Sequence, residues 1–554
     1  MTKLAIRTLA AALAMTALAA CGEVTTGPGQ LSAPTGLAVQ QLSLTSVRVS
    51  WNAVTGAETY AVQRAAASDP TNFTTVSDTV TGTQYDDAGL TAGVTYSYRV
   101  AAAVDGEAGD FTTAVPITTG VAAATLTGNV TASRTLTKDT VYTLSGYVKV
   151  ASGATLTIQE GTRIVGDPNT LGSSLWILRG AKIVAIGTAA EPIVFTSARP
   201  VGSRKPGDWG GIVIVGNGII NRTGATITTE GPQPENYAGG NNNADSSGVL
   251  KYVRIEFAGY DVSAGQGQEL NSLSLYAVGS GTKIEYVQSL GGLDDSFEFW
   301  GGAAQGRYLV SYESGDDHFD WSEGFRGKLQ HIIAFQAQRL APASDTVGVL
   351  SSDPRGFEAD GCDPSVSGCT VGATGASEPF SNPTIANFTI VGPGSLAGFP
   401  ADGNGMVLRR GTAGWLHAGI VANWPGIGCQ FRDAFTDSLR LRDSLQINNV
   451  ILAQNTAGNY DDPVSTTRFC QEAKWDANNH RTATNATDVL TNISATNLDW
   501  TPIGIATTGG STVALPAARA SGFFGGTMTS TTYVGAADPA GPKWWQGWTA
   551  YAIN

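Results

Sequence analysis

The chain is short of charge, cysteine, histidine and long apolar runs. Charged residues make up only 14% of its 554 positions, against ~25% in ordinary domains. The remaining charge is acid-biased, at −13 net, and no basic stripe offsets it, which argues against a nucleic-acid partner. Five cysteines and four histidines, with no CxxC and no nearby His pair, leave a zinc site without support. After the N-terminal residues no stretch reaches the ~20 apolar residues of a membrane helix. A serine-hydrolase elbow beside a base is missing. The Gly-rich stretch Asn236 to Gly248, with Asn241, Asn242 and Asn243, has no Lys-Ser/Thr of a phosphate loop and reads as an exposed loop.

Glycine, threonine, serine and valine fill the space, a composition suited to exposed β-structure. From Ser32 to about Thr119 short alternating strands follow one another, including Val47-Arg48-Val49-Ser50-Trp51 and Tyr60-Ala61-Val62-Gln63-Arg64. From residue 120 to the end they become strands of three to five residues, ended by Gly, Pro or Asp turns. Ala154-Thr155-Leu156-Thr157-Ile158, Ala181-Lys182-Ile183-Val184-Ala185-Ile186-Gly187 and Pro192-Ile193-Val194-Phe195-Thr196-Ser197 set the style. No useful amphipathic helical stretch interrupts them. Three short strands per ~22–25-residue turn describe a parallel solenoid, whereas a propeller would demand blades of ~40–50 residues.

One phrase occurs twice within this region. Asp294-Asp295-Ser296-Phe297-Glu298-Phe299 is followed 22 residues on by Asp316-Asp317-His318-Phe319-Asp320-Trp321. A shortened copy, Gly356-Phe357-Glu358-Ala359-Asp360, comes later. On adjacent coils, strand alternation puts Asp294, Ser296 and Glu298 on one face, with Asp316, His318 and Asp320 above them. Asp295, Phe297 and Phe299 fall on the other face, where Phe319 and Phe357 continue a core column that turns the first set outward. Neighbouring strands lie about 4.8 Å apart. Two bare carboxylates at that spacing repel by roughly 3 kcal/mol at an effective dielectric near 20, so a compensating charge is required. Arg326, Lys328 and Arg355 are the cations nearest in sequence.

Three readings of the ladder follow. It is a solvated or salt-bridged face; or Asp294, Glu298, Asp316, Asp320 and Glu358 hold a divalent ion, with Ca²⁺ best suited to loose all-oxygen ligation; or it is catalytic. Catalysis would use Asp294, Glu298, Asp316 and Asp320, with Arg326 as the base of a lyase on proximity alone. An enzyme predicts a cleft of glycan width holding a basic side chain. A binding protein predicts a shallow face, or a ladder covered by the Ala341 to Pro379 insertion.

Several segments resemble known families. Lys3, Arg7, the apolar run Leu9 to Ala17 and Leu18-Ala19-Ala20-Cys21 resemble a bacterial lipobox. The resemblance implies a signal peptide over 1–20, acylation of Cys21 and a flexible tether to residue 31. Gly22, where inner-membrane retention would want Asp, favours the outer membrane. Residues 32–119 resemble a fibronectin type III module, with Trp51 as the core tryptophan and Leu90, Tyr96 and Tyr98 as the corner motif. It lacks Arg-Gly-Asp and reads as a spacer. Residues 140–554 resemble a family of bacterial cell-surface lipoproteins and secreted proteins with a right-handed parallel β-helix, commonest in Bacteroidota and related phyla. Gly207-Asp208-Trp209-Gly210-Gly211, Lys251-Tyr252-Val253-Arg254-Ile255-Glu256-Phe257 and Gly547-Trp548-Thr549 carry that resemblance, with the Asp294 phrase. It implies fold and surface location, and no activity. Gly-x-Asp-Asp loosely resembles the polygalacturonase aspartate pair, but that family's Gly-His-Gly and Arg-Ile-Lys are absent.

Taken together, the expected protein is all-β: a fibronectin type III sandwich, then a β-helix over 120–554, anchored in the outer membrane through lipid. Its expected role is non-enzymatic contact with a polysaccharide or cell-envelope ligand. The alternative is a polysaccharide lyase or glycoside hydrolase. In an oxidising compartment Cys362 would pair with Cys369 and Cys429 with Cys470. Trp544, Trp545 and Trp548 are expected to cap the open end of the solenoid, with a sugar-stacking platform as the other use. Asn387, Asn448 and Asn449 suggest asparagine ladders at turns.

Overall fold

The computed structural model describes residues 31–261, 268–344, 346–372, 375–460, 481–494, 498–510 and 513–551. Cys21 and the 1–20 segment lie outside them, as does Cys470. The chain divides into two compact units, with the break between Ala122 and Ala123.

The first unit is a sandwich of two antiparallel sheets, one of three strands and one of five. Alternation along Ser46–Ser50 buries Val47 and Val49 beside Trp51, whose ring lies 5.2 Å from that of Tyr60. The Thr91 backbone amide donates to Tyr96 Oη at 3.1 Å, which closes the corner, while Leu90 and Tyr98 are core. Tyr98 Oη donates to Asp87, which also pairs with Arg64, so this buried carboxylate is satisfied.

The second unit is a parallel β-helix, made of one 11-stranded and one 17-stranded sheet. Five long strands of the larger sheet, Gly248–Glu256, Lys283–Leu290, Gln305–Tyr312, Lys328–Phe335 and Thr384–Val391, each bend at one residue. Those residues are Tyr252, Tyr286, Tyr308, His331 and Asn387, all with φ between 49° and 57°. Left-handed backbone costs a residue with a side chain roughly 1–2 kcal/mol. Here it splits the sheet into two faces, so each coil has three strands. Ring stacking offsets the cost: Tyr252 on Tyr286 at 4.4 Å, Tyr286 on Tyr308 at 4.5 Å and Tyr308 on His331 at 5.1 Å. Asn387 and Asn449 occupy later corners, but Ala418 stands between them. They therefore form no continuous asparagine ladder. Their amides donate outward to the backbone of Gly535 and Gly510 instead.

Inside the coils Phe297, Phe319 and Phe357 pair in register and continue to Met406 and Cys429. Phe297 stacks on Phe319 at 5.0 Å, and Phe357 meets Phe319 edge-on at 5.9 Å. The expected core column is present. Cys362 and Cys369 form the expected short disulfide, with a Cα separation of 5.4 Å. Cys429 is buried, and its expected partner Cys470 falls outside the described residues.

The terminal tryptophans do not cap the end of the solenoid. The C-terminal segment runs back along the outside of the coils: Gln330 exchanges two hydrogen bonds with the Thr529 backbone, and Gln288 two with that of Ala550. Trp548 packs edge-on against Tyr252 and Tyr286, and Tyr551 edge-on against Tyr312, while Trp544 lies tilted against Tyr308. The reason is the outer face beyond the corner, where Leu290, Val310, Ile333, Val391 and Ile420 are apolar and need cover. Phe319→Ala should cost about 3–5 kcal/mol by loss of buried surface and cavity formation, read as a lowered denaturant midpoint. A much smaller loss would show that the ring column does not hold the coils.

Candidate active site

The acids enter through one strand of the 11-stranded sheet on each coil. Phe297–Trp300, Phe319–Ser322 and Arg355–Asp360 are adjacent, and Glu298, Asp320 and Glu358 are direct register partners. The expected outward column exists. These strands begin only at Phe297 and Phe319, however, so strand alternation does not govern the turn residues before them. Asp295, expected on the core face, and its counterpart Asp317 lie in those turns and reach the same cavity as the ladder. Each also accepts a bond from the next coil. Asn271 Oδ1 accepts from Asp295 N at 3.0 Å, Asp295 Oδ1 from Asp317 N at 2.8 Å, and Asp317 Oδ1 from Arg355 N at 2.5 Å. His318, expected outward, is buried on the inner side. Its Nδ1 meets Ser311 Oγ at 2.5 Å, and burial pushes its pKa down to about 3.

A cavity of about 630 Å³ is lined by Asp294, Asp295, Glu298, Asp316, Asp317, Asp320 and Glu358, with Glu230 and Glu269 from other segments. A second, of about 400 Å³, shares Glu230, Glu298, Asp320, Glu358 and Arg410 with it. Burial, then mutual repulsion, raises Asp294, Asp295, Glu298, Asp320 and Glu230 well above the usual carboxylate range. Asp316 is raised by burial and by Asp317. Asp317 is pushed up to about 6 by burial, with Arg355 opposing. Asp360 is pushed up to about 7 by burial against the pull of Arg410.

The compensating cations are not all those nearest in sequence. Arg326 and Lys328 line a different pocket beside Ser521 and Gly522, and neither reaches the acids. Arg326 is therefore withdrawn as a base: the coil between residues 323 and 328 turns it to another face. Arg355 pairs with Asp317 at 3.0 Å and also with Glu358 and Asp353. Arg409 pairs with Glu358 and, at 2.8 Å, with Asp360. Arg410 pairs with Asp360 at 2.5 Å. Burial lowers Arg409 to about 9. These arginines gather at the Glu358 end, leaving Asp294, Glu298, Asp316 and Asp320 without an ion pair among the described residues. The Oδ1 atoms of Asp316 and Asp320 are buried without a hydrogen-bond partner.

Three carboxylate trios bring one oxygen each within 4.8 Å of one another: Asp294, Asp295 and Asp316; Asp295, Glu298 and Asp320; Asp317, Asp320 and Glu358. That spacing is tighter than the ~6.5–9.5 Å of an inverting glycosidase pair, and it suits a shared cation. In the second cavity Tyr276 and Trp300 stack at 4.0 Å and present an aromatic wall. Val349 to Ser352, from the insertion, form part of the first cavity's wall. A cleft containing basic side chains and cover from the insertion therefore coexist. The duplicated phrase exposed the ladder. Glu230, Glu269, Arg409 and Arg410 come from distant segments with no repeat to mark them, although Arg409 is the register partner of Asp360.

Residues 128–502 match the pectate-lyase-like β-helix domain, and residues 32–118 match the fibronectin type III domain. An 85-residue stretch is 51% identical to a poly(3-hydroxybutyrate) depolymerase of Ralstonia pickettii, covering 15% of this chain and 16% of that protein. The chain thus spans about a sixth of that relative's length. Among solved structures, the FN5 domain of Drosophila Lar is 23% identical over 16% of this chain and 97% of its own, with a TM-score of 0.15. A Fn3-like protein from Clostridium thermocellum is 29% identical over 16% of this chain and 92% of its own, also with a TM-score of 0.15. By the match over most of its length, the chain belongs to the pectate-lyase-like β-helix family and carries a fibronectin type III module ahead of its solenoid.

Proposed function

We propose that the protein is a cation-dependent, polymer-active surface lipoprotein whose acidic cavity works on an acidic polysaccharide in the manner of a lyase. The observation that carries this reading is the set of buried, mutually repelling carboxylates, with unsatisfied oxygens on Asp316 and Asp320. Asp294, Asp295, Glu298, Asp316, Asp320 and Glu358 would hold divalent ions such as Ca²⁺, whose oxygen preference and loose geometry fit this donor set. Bound cations would supply the positive charge that lets an acidic polymer enter and that polarises its carboxylates. Asp295 and Asp317 hold the turns in place through the backbone amides of the next coil. Arg409 takes the role first given to Arg326, because it is the arginine beside Glu358 and Asp360 on the cavity wall. Burial lowers its pKa to about 9, so its neutral form would take the proton next to a uronate carboxylate. The bond to the leaving glycosidic oxygen would break as the new C=C bond forms, and that oxygen would take a proton from solvent water. The aromatic wall of Tyr276 and Trp300 would support a sugar ring. Cleavage by elimination then needs no water activated between two carboxylates.

Non-enzymatic binding of the same polymer is the second reading, supported by the insertion residues Val349 to Ser352 walling the cavity. Incubating the mature chain with acidic and neutral polysaccharides separates the two. A lyase releases unsaturated ends, read by ultraviolet absorbance, only from acidic polymers and only without chelator. Arg409→Gln should lower that rate by about 10²-fold or more. Saturable binding with no product from any acidic polymer would establish the second reading.

The cation has its own signature. The folded-state pKa values of Asp294, Asp295, Glu298 and Asp320 are raised, so without ions the stability these groups contribute is present at low pH and is lost as pH rises and they ionise. Added Ca²⁺ should therefore raise Tm more at pH 8 than at pH 5. Asp320→Asn should stabilise the ion-free protein by up to about 3 kcal/mol and shrink the Ca²⁺-induced shift. An ion-induced shift unchanged by Asp320→Asn would remove the ladder as the ion site. The lipid anchor is tested by labelling cells with radioactive palmitate. Label and membrane retention should both be lost in Cys21→Ser, and retention without label would overturn acylation.

A further inference from the structure

On the outer face of the larger sheet, remote in sequence from the acidic ladder, three arginines surround one carboxylate. Arg163, Val194 and Arg254 are register partners on consecutive strands, which places the two arginines about 10 Å apart along the sheet. Arg204 enters from the loop after Ser197. Glu256, almost fully buried, is 2.9 Å from Arg254 and 3.9 Å from Arg204. Arg163 makes no ion pair among the described residues. Arg254 Nε approaches Glu256 without the alignment of a hydrogen bond and stays an unsatisfied buried donor. Three guanidiniums against one acid leave two positive charges uncompensated. Burial and the neighbouring Arg204 depress Arg163, and Glu256 offsets them only in part.

These groups line a cavity of about 190 Å³ that also has an apolar side, formed by Phe257, Leu290 and Ala550. Phe257 and Leu290 are core residues, and Ala550 is pinned by its two bonds to Gln288. The wall is therefore built by the fold. The volume is below the ~300–1,000 Å³ of a drug-sized pocket, so the occupant is small. Planar guanidinium forks favour a carboxylate, which they bind bidentately.

The geometry points to a binding site for a small organic carboxylate, its anionic end among Arg163, Arg204 and Arg254 and its apolar body against Phe257 and Leu290. The site is independent of the acidic cavity and of the proposed polymer-active function. Calorimetric titration of the full chain with cyclohexanecarboxylate tests it, beside inorganic phosphate, acetate and the uncharged cyclohexanol. Saturable one-to-one binding of cyclohexanecarboxylate is expected, at least tenfold tighter than acetate or phosphate, with none for cyclohexanol. Arg163→Gln and the loop variant Arg204→Gln should each weaken it at least tenfold, while Asp320→Asn leaves it unchanged. Phosphate binding as tightly as the cyclic carboxylate would overturn the apolar half of the assignment. Absence of saturable binding, or binding unaffected by either arginine variant, would overturn the site.

Discussion

Register between parallel coils is the constraint on which the rest depends. A slip of one residue would send every inward side chain outward. Here it would place Glu298, Asp320 and Glu358 in the core and Phe297, Phe319 and Phe357 in the cavity. The ring column and the left-handed corners oppose that slip from two sides. The rings occupy the interior, and the corners force each long strand to change face at one position, from Tyr252 through Asn387. With register held in this way, carboxylates can be stacked at strand spacing although they repel.

The turn carboxylates have a second role. Asp295 and Asp317 each accept a backbone amide from the following coil, so they cap the polypeptide while contributing charge to the cavity. A buried amide left without an acceptor costs about 1–3 kcal/mol, which favours an acceptor at these positions whatever the site does. Among the ladder acids, Glu298 accepts from Asn271 Nδ2 and Glu358 pairs with Arg355 and Arg409. Asp316 and Asp320 bring buried oxygens that bond to nothing, and the arginines stop at the Glu358 end.

The coil spacing, the Phe column and the Glu298–Asp320–Glu358 ladder were legible in the sequence because a local repeat encodes them. The fibronectin module was legible from alternation around Trp51 and the Leu90 corner. Alternation failed in the turns, where Asp295 and His318 were given faces that only strand residues possess. Proximity in sequence misled for Arg326, because a few residues carry the chain around a coil corner to another side. Arg409 and Arg410 were hidden for the converse reason. Insertions lengthen the coil that brings them back, so the site is assembled from segments with unequal spacing. The terminal tryptophans revealed that something apolar needed cover. They did not reveal where, since that depends on Val310, Ile333 and Val391 facing outward beyond the corner.

Local rules are broken here in three places, and the outcome differs in each. The left-handed tyrosines at the corner are repaid within the chain by ring stacking and by the C-terminal segment, with Trp544 and Trp548 packed on them. That violation is complete in itself and requires no ligand. The acidic ladder is compensated at one end only, and in the arginine cluster Glu256 is the single acid shared by Arg204 and Arg254, while Arg163 makes no ion pair among the described residues. Opposite charges that were close would neutralise each other. The acidic cavity and the arginine pocket share no lining residue, so neither supplies the other's counter-charge. Charge of each sign, held apart on a scaffold whose register does not yield, supports the proposed occupants: cations at the ladder and an anion at the arginines.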